Sequence, residues 1–249
     1  MECKHQIVGH TKNGFLFLHP CGQCLQCRIN DTRAWFVRSH FELKKLDRPF
    51  HYFLTLTYND DNLPDDGLCK KDHLKKFLNN LNTSYGLHLR YYACADYGSI
   101  NNRCHYHAIL LSEKKITHKM VDNIWKKGFS CLKECNTNNI KYTLRYTVKK
   151  KPFDSKDPAY FRLISKGWGN NVAQYWHEGQ EKFTIDGRDY GITRYLREKL
   201  GLDGKKVPVY ANNRDLIYSP NYQKVDTIEK HLQDVIDLSI ERRKRRETI

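Results

Sequence analysis

Apolar and polar positions along this chain follow the spacing of strands in some stretches and of helices in others. Residues 51–58 (HYFLTLTY) are β-branched and aromatic, which predicts a strand in the middle of a sheet. Residues 30–46 carry apolar side chains at helical spacing before Pro49, which predicts a helix. A second helix, with Asp72 at its cap, is predicted by a stripe at i, i+3, i+4 and i+7: Leu74, Phe77, Leu78 and Leu81.

A β-hairpin is predicted over residues 88–111, with a turn-rich link at 98–103. His105 and His107 are two residues apart on its second strand, so both side chains point to the same face. If the hairpin folds symmetrically, Asp96 lies opposite His105 and shares that face. Two imidazoles and one carboxylate form a divalent-metal set with open positions. The alternative is that the histidines are ordinary strand residues, since a His-x-His pair alone is a short motif.

A further helix is predicted over residues 140–149. Tyr142, Tyr146 and Lys149 stand at i, i+4 and i+7, so two phenols and a cation lie on one face, with Arg145 at its edge. These residues suit nucleophilic chemistry on a phosphate, because a cation favours the phenolate over a phenol whose ordinary pKa is near 10. The alternative for the tyrosines is packing in the core.

Four cysteines fall within the first 27 residues: Cys3, Cys21, Cys24 and Cys27. Two successive Cys-x-x-Cys spacings, with Cys3 returning as a fourth thiolate, fit a tetrahedral structural zinc site. An iron–sulfur cluster of the ferredoxin kind would require a cysteine at position 31, where Asp31 stands. The remaining alternative is a group of reduced thiols without metal.

Charge narrows the class of partner. Lys and Arg outnumber Asp and Glu by 43 to 28, a net charge of +15, which is typical of proteins that bind nucleic acid. No stretch has the length and apolarity of a membrane span, and the first residues do not resemble a signal peptide. We therefore expect a protein that stays in the cytoplasm of the cell that makes it, with cysteines as thiols or metal ligands rather than disulfides.

In this order, the motifs resemble the HUH endonuclease superfamily, and within it the rolling-circle replication initiators of microviruses, especially the gokushovirus branch. The resemblance spans residues 3–151 and includes PCGxCxxCR at 20–28, FLTLTY at 53–58, HYH at 105–107 and YxxxYxxK at 142–149. Two departures stand out. Asp96 replaces the glutamate that the family commonly has, and Cys104 replaces a frequent proline.

The resemblance implies an α+β fold with a central antiparallel, RRM-like sheet, helices on one face and the histidines on the other. It implies an endonuclease domain at 1–152. Residues 153–249 then form a mixed, mainly helical accessory region with a basic helix at 227–246.

The resemblance also implies an activity, the nicking of single-stranded DNA at a phage origin. The nick leaves a 5′-phosphotyrosyl link and a free 3′-hydroxyl for a host polymerase, with a host helicase as a further partner. His105, His107 and Asp96 would bind Mg²⁺ or Mn²⁺, and Tyr142, Tyr146 and Lys149 would act in catalysis. Arg103, Lys150 and Lys151 are candidate phosphate contacts.

Two other functions remain open at this stage. An RRM-like, zinc-containing protein could bind nucleic acid without any covalent step. A metal-dependent hydrolase could use water instead of tyrosine and release its product without an adduct. The residues do not decide which tyrosine attacks first.

Overall fold

The computed structural model of the protein describes residues 3, 5–10, 16–98, 103–149 and 160–202, with the backbone alone at 10, 16, 17 and 146–149. The described residues up to 30 form one compact unit, and residues 31–202 form another. The predicted helix at 227–240 and the basic run after it lie outside the described residues. No helix within the described ranges has the length and apolarity needed to cross a membrane.

The smaller unit begins with a β-hairpin. Strand β1 (Ile7–His10) pairs antiparallel with β2 (Leu16–His19). Helix α1 (Leu25–Glu42) follows directly. It begins five residues before the predicted start because the helical hydrogen bonds already start in the cysteine turn, where the Arg28 amide donates to the Cys24 carbonyl at 3.0 Å.

The larger unit is built on a five-stranded sheet with the spatial order β6-β3-β5-β4-β7, in which every neighbouring pair is antiparallel. Its elements, in chain order, are β3 (Phe50–Tyr58), α2 (Lys71–Tyr85), β4 (Arg90–Tyr97), β5 (Cys104–Ser112), α3 (His118–Ile124), β6 (Gly128–Glu134), α4 (Thr137–Lys149) and β7 (Arg162–Ile164). The α+β class and the antiparallel, RRM-like sheet are therefore confirmed. Strand β7 lies beyond residue 152, where we predicted the accessory region to begin.

The predicted apolar stripe packs helix α2 against one face of the sheet. All four of its residues are buried, in a core that also contains Leu54 and Leu56 from β3. The helix begins at Lys71, with Lys70 as a cap residue that makes no side-chain hydrogen bond, so Asp72 lies in the first turn rather than at the cap. An acidic side chain in that turn still interacts favourably with the helix dipole.

The face that carries the histidines is also covered by helices, in part. Ile109 and Leu111 follow the histidines at the two-residue period of β5, and they are fully buried. The residues packed in this second core come from α1, α4 and the segment after β7, and include Phe36, Phe41, Ile140, Leu144 and Trp168. The expectation that helices pack on only one face was wrong, because half of the histidine face is apolar and must be shielded from water.

The segment after β7 completes the larger unit. It contains the hairpin of β8 (Lys182–Ile185) and β9 (Arg188–Gly191) and the short helix α5 (Arg194–Lys199). Within it, the backbone amide of Gly169 donates to the buried carboxylate of Glu42 on α1, which also pairs with Arg90 on β4. This buried carboxylate therefore joins α1, the sheet and the segment after β7.

Two of the nine cysteines form a disulfide, Cys69–Cys104, contrary to the expectation that the cysteines are thiols or metal ligands. Cys104 begins β5 and, one residue before His105, faces the opposite side of the sheet. On that side it meets the loop that precedes α2, where the two Cα atoms are 5.4 Å apart. The pairing joins segments distant in sequence, so no local pattern could indicate it.

Candidate active site

The predicted metal ligands come together at the turn end of the β4–β5 hairpin. The register is as predicted, with Asp96 opposite His105. The Asp96 Oδ2 atom lies 3.0 Å from Nε2 of His105 and 3.8 Å from Nε2 of His107. The potential ligand atoms of all three residues lie within 4.8 Å of one another. Asp96 is only 2% exposed, so its carboxylate contributes to this group from inside the fold.

A hydrogen bond to the backbone orients His105. Its Nδ1 atom lies 2.9 Å from the carbonyl oxygen of Arg103. Because a carbonyl can only accept, Nδ1 carries the proton, and in the neutral ring the lone pair is then on Nε2. That nitrogen faces the Asp96 carboxylate. Two groups with lone pairs directed at each other are stabilised by a proton or a metal cation between them.

His107 is held by two residues of β3 that the sequence analysis missed. Its Nδ1 atom lies 3.1 Å from the hydroxyl oxygen of Thr55. Its ring stacks on Phe53 with centroids 5.5 Å apart. Thr55 and Phe53 alternate on one face of a predicted strand, but their relation to His107 depends on the pairing of β3 with β5, in which Thr55 is opposite His107.

The nucleophile helix α4 reaches the same place. The Tyr142 ring lies edge-on to His107, with centroids 5.1 Å apart, and edge-on to Phe53 at 6.0 Å. Tyr142 is 42% exposed, so its ring both contacts the site and remains accessible. The backbone of α4 includes Tyr146 and Lys149, but their side chains lie outside the described part of the chain.

Contacts with the sheet fix the position of α4. Ile140 and Leu144 are buried on its inner side. The Cys94 thiol donates to the Thr143 carbonyl at 3.7 Å, and Cys94 lies opposite His107 in the sheet. Burial raises the pKa of Cys94, so this side chain stays a protonated thiol that can donate. The sequence analysis missed Cys94, whose only signal was its place two residues before Asp96.

The candidate phosphate contacts differ in how far they are described. The Arg103 guanidinium donates to the Tyr58 carbonyl at 2.7 Å and pairs with Asp60 at 2.8 Å. Arg103 therefore joins the end of β3 to the start of β5 beside the histidines. Lys150 and Lys151 lie outside the described residues.

We expect Thr55→Val to weaken metal binding at this site by about 10- to 100-fold, because loss of a hydrogen bond to a metal-binding histidine has effects of that size. Valine keeps the shape of threonine, and a titration with Mn²⁺ would measure the half-saturating concentration. Thr57→Val is the matched control, since Thr57 lies on the same face of β3 opposite His105. Equal metal affinity in the two variants would contradict a role for the Thr55 hydroxyl.

The four cysteines predicted as zinc ligands also converge, within the smaller unit. Their Sγ atoms all lie within 4.8 Å of one another, and Cys3 and Cys27 are buried. The described residues thus contain two groups with the composition of metal sites. One has imidazole and carboxylate ligands, and the other has thiol ligands.

The chain was compared with known proteins. Residues 51–151, which include the metal-ligand group and α4, match the family model of the Replication-associated protein ORF2 family. Replication-associated protein ORF2 of Spiroplasma virus 4 is 30% identical over 230 residues, covering 78% of this chain and 67% of that protein.

Two further relatives match over shorter parts of their length. Replication-associated protein VP4 of Bdellovibrio phage phiMH2K is 27% identical, with 68% of this chain and 60% of that protein covered. Replication-associated protein ORF4 of Chlamydia phage 1 is 24% identical, with 57% and 40% covered. The chain thus belongs to the ORF2 family of phage replication-associated proteins.

Proposed function

We propose that this protein is a replication initiator endonuclease that nicks single-stranded DNA at a phage origin through a metal-assisted tyrosine. The observation that carries the proposal is the contact between Tyr142 on α4 and His107, a member of the Asp96–His105–His107 group. This contact brings a potential nucleophile beside potential metal ligands. The family relationship supports a role in phage DNA replication, which takes place in the bacterial host.

The donor set fits a divalent cation. Two imidazole nitrogens and one carboxylate oxygen leave open positions for phosphate oxygens, as Mn²⁺ or Mg²⁺ requires. The lone pair on Nε2 of His105 faces the Asp96 carboxylate, an arrangement that a cation stabilises. When bound, Mg²⁺ or Mn²⁺ would polarise a non-bridging oxygen of the scissile phosphate and stabilise the charge that develops there.

The residues of the chain then position the phenol and the DNA. Helix α4, fixed by its buried side and by Cys94, presents Tyr142 and Tyr146 one turn apart, about 6 Å along the helix axis. A phenol oxygen attacks phosphorus, the bond from phosphorus to the 3′ oxygen breaks, and that oxygen takes up a proton as it leaves. We assign to Lys149 the stabilisation of the phenolate or a contact to the phosphate.

Covalent storage gives a reason for using tyrosine rather than water. The phosphotyrosyl bond conserves the energy of the phosphodiester, and the free 3′-hydroxyl can prime a host polymerase behind a host helicase. A second phenol permits another cleavage while the first link persists. The net charge of +15 supports single-stranded DNA as the substrate, and Arg103, Lys150 and Lys151 are proposed as phosphate contacts.

The test is a cleavage assay with single-stranded oligonucleotides that tile the cognate phage genome. We expect one of them, in the presence of Mn²⁺, to give a protein–DNA band that survives denaturation and a product with a free 3′-hydroxyl. Labelling the oligonucleotide on the 3′ side of the nick should label the protein, because the 5′ phosphate is transferred to it. EDTA should prevent both products.

The same assay separates the competing functions. Binding without cleavage on every oligonucleotide would contradict the proposal and support a non-catalytic nucleic-acid-binding protein. Metal-dependent cleavage without a covalent band would support a hydrolase that uses water. Both functions predict binding that weakens with salt, so salt dependence alone does not distinguish them from the proposed nickase.

A further inference from the structure

We propose that Cys3, Cys21, Cys24 and Cys27 bind one structural zinc ion as four thiolate ligands, a second metal site separate from the Asp96–His105–His107 group. The measured Sγ–Sγ distances are 3.6 Å for Cys3–Cys21, 3.8 Å for Cys3–Cys24 and 3.9 Å for Cys21–Cys27. Four sulfurs at 2.3 Å from a tetrahedral zinc would be about 3.8 Å apart. The thiol group therefore has the size of a one-metal site.

The local fold brings these ligands together. The β1–β2 hairpin pairs Ile7 with His19, so the segments that leave its open end, with Cys3 on one side and Cys21 on the other, lie close together. Cys24 follows in the next turn, and Cys27 lies in the first turn of α1. A metal bound here would attach the base of the hairpin to the start of the helix.

Backbone amides are directed at the sulfurs. The amides of His5 and Cys21 both donate to Cys3 Sγ at 3.4 Å. Cys21 Sγ accepts from the amide of Cys24 at 3.3 Å, and Cys24 Sγ accepts from the amide of Cys27 at 3.5 Å. A neutral thiol is a weak acceptor, whereas a thiolate benefits from several donors. These amides thus compensate the negative charge that four thiolates would bring to a zinc ion.

Other states of the cysteines account for the geometry less well. All four are free thiols, although the same chain forms a disulfide at Cys69–Cys104. A cluster of several irons would hold its ligand sulfurs farther apart than one tetrahedral ion does, whereas three of these pairs are 3.9 Å apart or closer. A site with four protein ligands has no open position, so the ion would stabilise the fold and not take part in catalysis.

The surrounding core is small, which gives the zinc a structural purpose. Among the residues up to 30 whose side chains the structure describes, Leu18 is the one buried apolar residue besides Cys3 and Cys27. Units with so little apolar core commonly depend on a metal or disulfides for stability. Zinc bound by the four thiolates would supply that stability.

The test uses the full chain with His105→Ala and His107→Ala, so that the other metal group cannot contribute zinc. After dialysis against EDTA, elemental analysis should find about one zinc per chain, as expected for a closed four-thiolate site. Adding Cys24→Ser should reduce the zinc content to near zero. Adding Cys131→Ser, an exposed free cysteine outside the group, should leave it unchanged.

A second measurement does not depend on the folding of any variant. X-ray absorption at the zinc edge of the unmodified chain, prepared with Mg²⁺ in excess, should show four sulfur ligands at about 2.3 Å. Iron in place of zinc, four reduced thiols without metal, or disulfides among the four cysteines would each overturn the proposal. None of these results depends on DNA cleavage, so the zinc site and the nickase can fail separately.

Discussion

The double variant Tyr142→Phe, Tyr146→Phe is expected to abolish the covalent protein–DNA adduct while leaving single-stranded DNA binding within about twofold of the original. Phenylalanine keeps the ring, so the contacts of position 142 with His107 and Phe53 are preserved. The substitution removes only the phenol oxygens that would attack phosphorus. A denaturing gel measures the adduct, and fluorescence anisotropy at fixed salt measures binding.

Tyr85→Phe is the matched control for the double variant. Tyr85 ends α2, which packs on the face of the sheet opposite the histidines, and its hydroxyl accepts a weak hydrogen bond from Asn123. This variant should form the adduct at the original rate. The single variants at 142 and 146, combined with peptide mapping, assign the bond to one phenol. An adduct that persists in the double variant would show that neither tyrosine is the nucleophile.

His107→Ala is expected to lower the rate of metal-dependent nicking by roughly 10³-fold, since a metal ion contributes several kcal/mol of transition-state stabilisation. The imidazole of His107 is 5% exposed and lies between the Asp96 carboxylate and the Tyr142 ring. Its removal takes away a ligand and also a surface against which the tyrosine packs. The initial rate of adduct formation over a range of Mn²⁺ concentrations measures the effect.

A histidine far from the site provides the comparison. His118 is exposed at the start of α3, and His118→Ala should keep the original rate and the original half-saturating Mn²⁺ concentration. The same circular dichroism spectrum and melting temperature in both variants would separate a catalytic effect from misfolding. If His107→Ala nicks as fast as His118→Ala, the imidazole pair does not form the metal site.

Much of the candidate site could be predicted because its parts are close together in sequence. His105 and His107 share a face by the two-residue period of a strand, whatever the rest of the fold. Asp96 joins them because a short link makes a nearly symmetric hairpin, and the observed register confirms this. The helical spacing of Tyr142 and Tyr146 is likewise local. The cysteine group was predicted from the Cys-x-x-Cys spacing, although Cys3 needed the hairpin to bring it close.

Several features of the site could not be predicted. Thr55 and Phe53 contact His107 because β3 lies beside β5, and strands about fifty residues apart could have paired in another order. The contact between Tyr142 and His107 depends on which side of the sheet α4 covers. The cover of the histidine face by α1, and the addition of β7 from beyond residue 152, also join distant segments.

By itself, the sequence determined the types of element, the shared face of the imidazoles with Asp96, the group of thiols and the basic charge. Tertiary structure alone decided the neighbours of β5, the cover of both sheet faces, the Cys69–Cys104 pairing and the position of Tyr142 against His107. The physical reason is that side-chain periodicity and short turns are fixed by interactions within a few residues. Pairing and packing between distant segments depend instead on the burial of apolar surface over the whole unit.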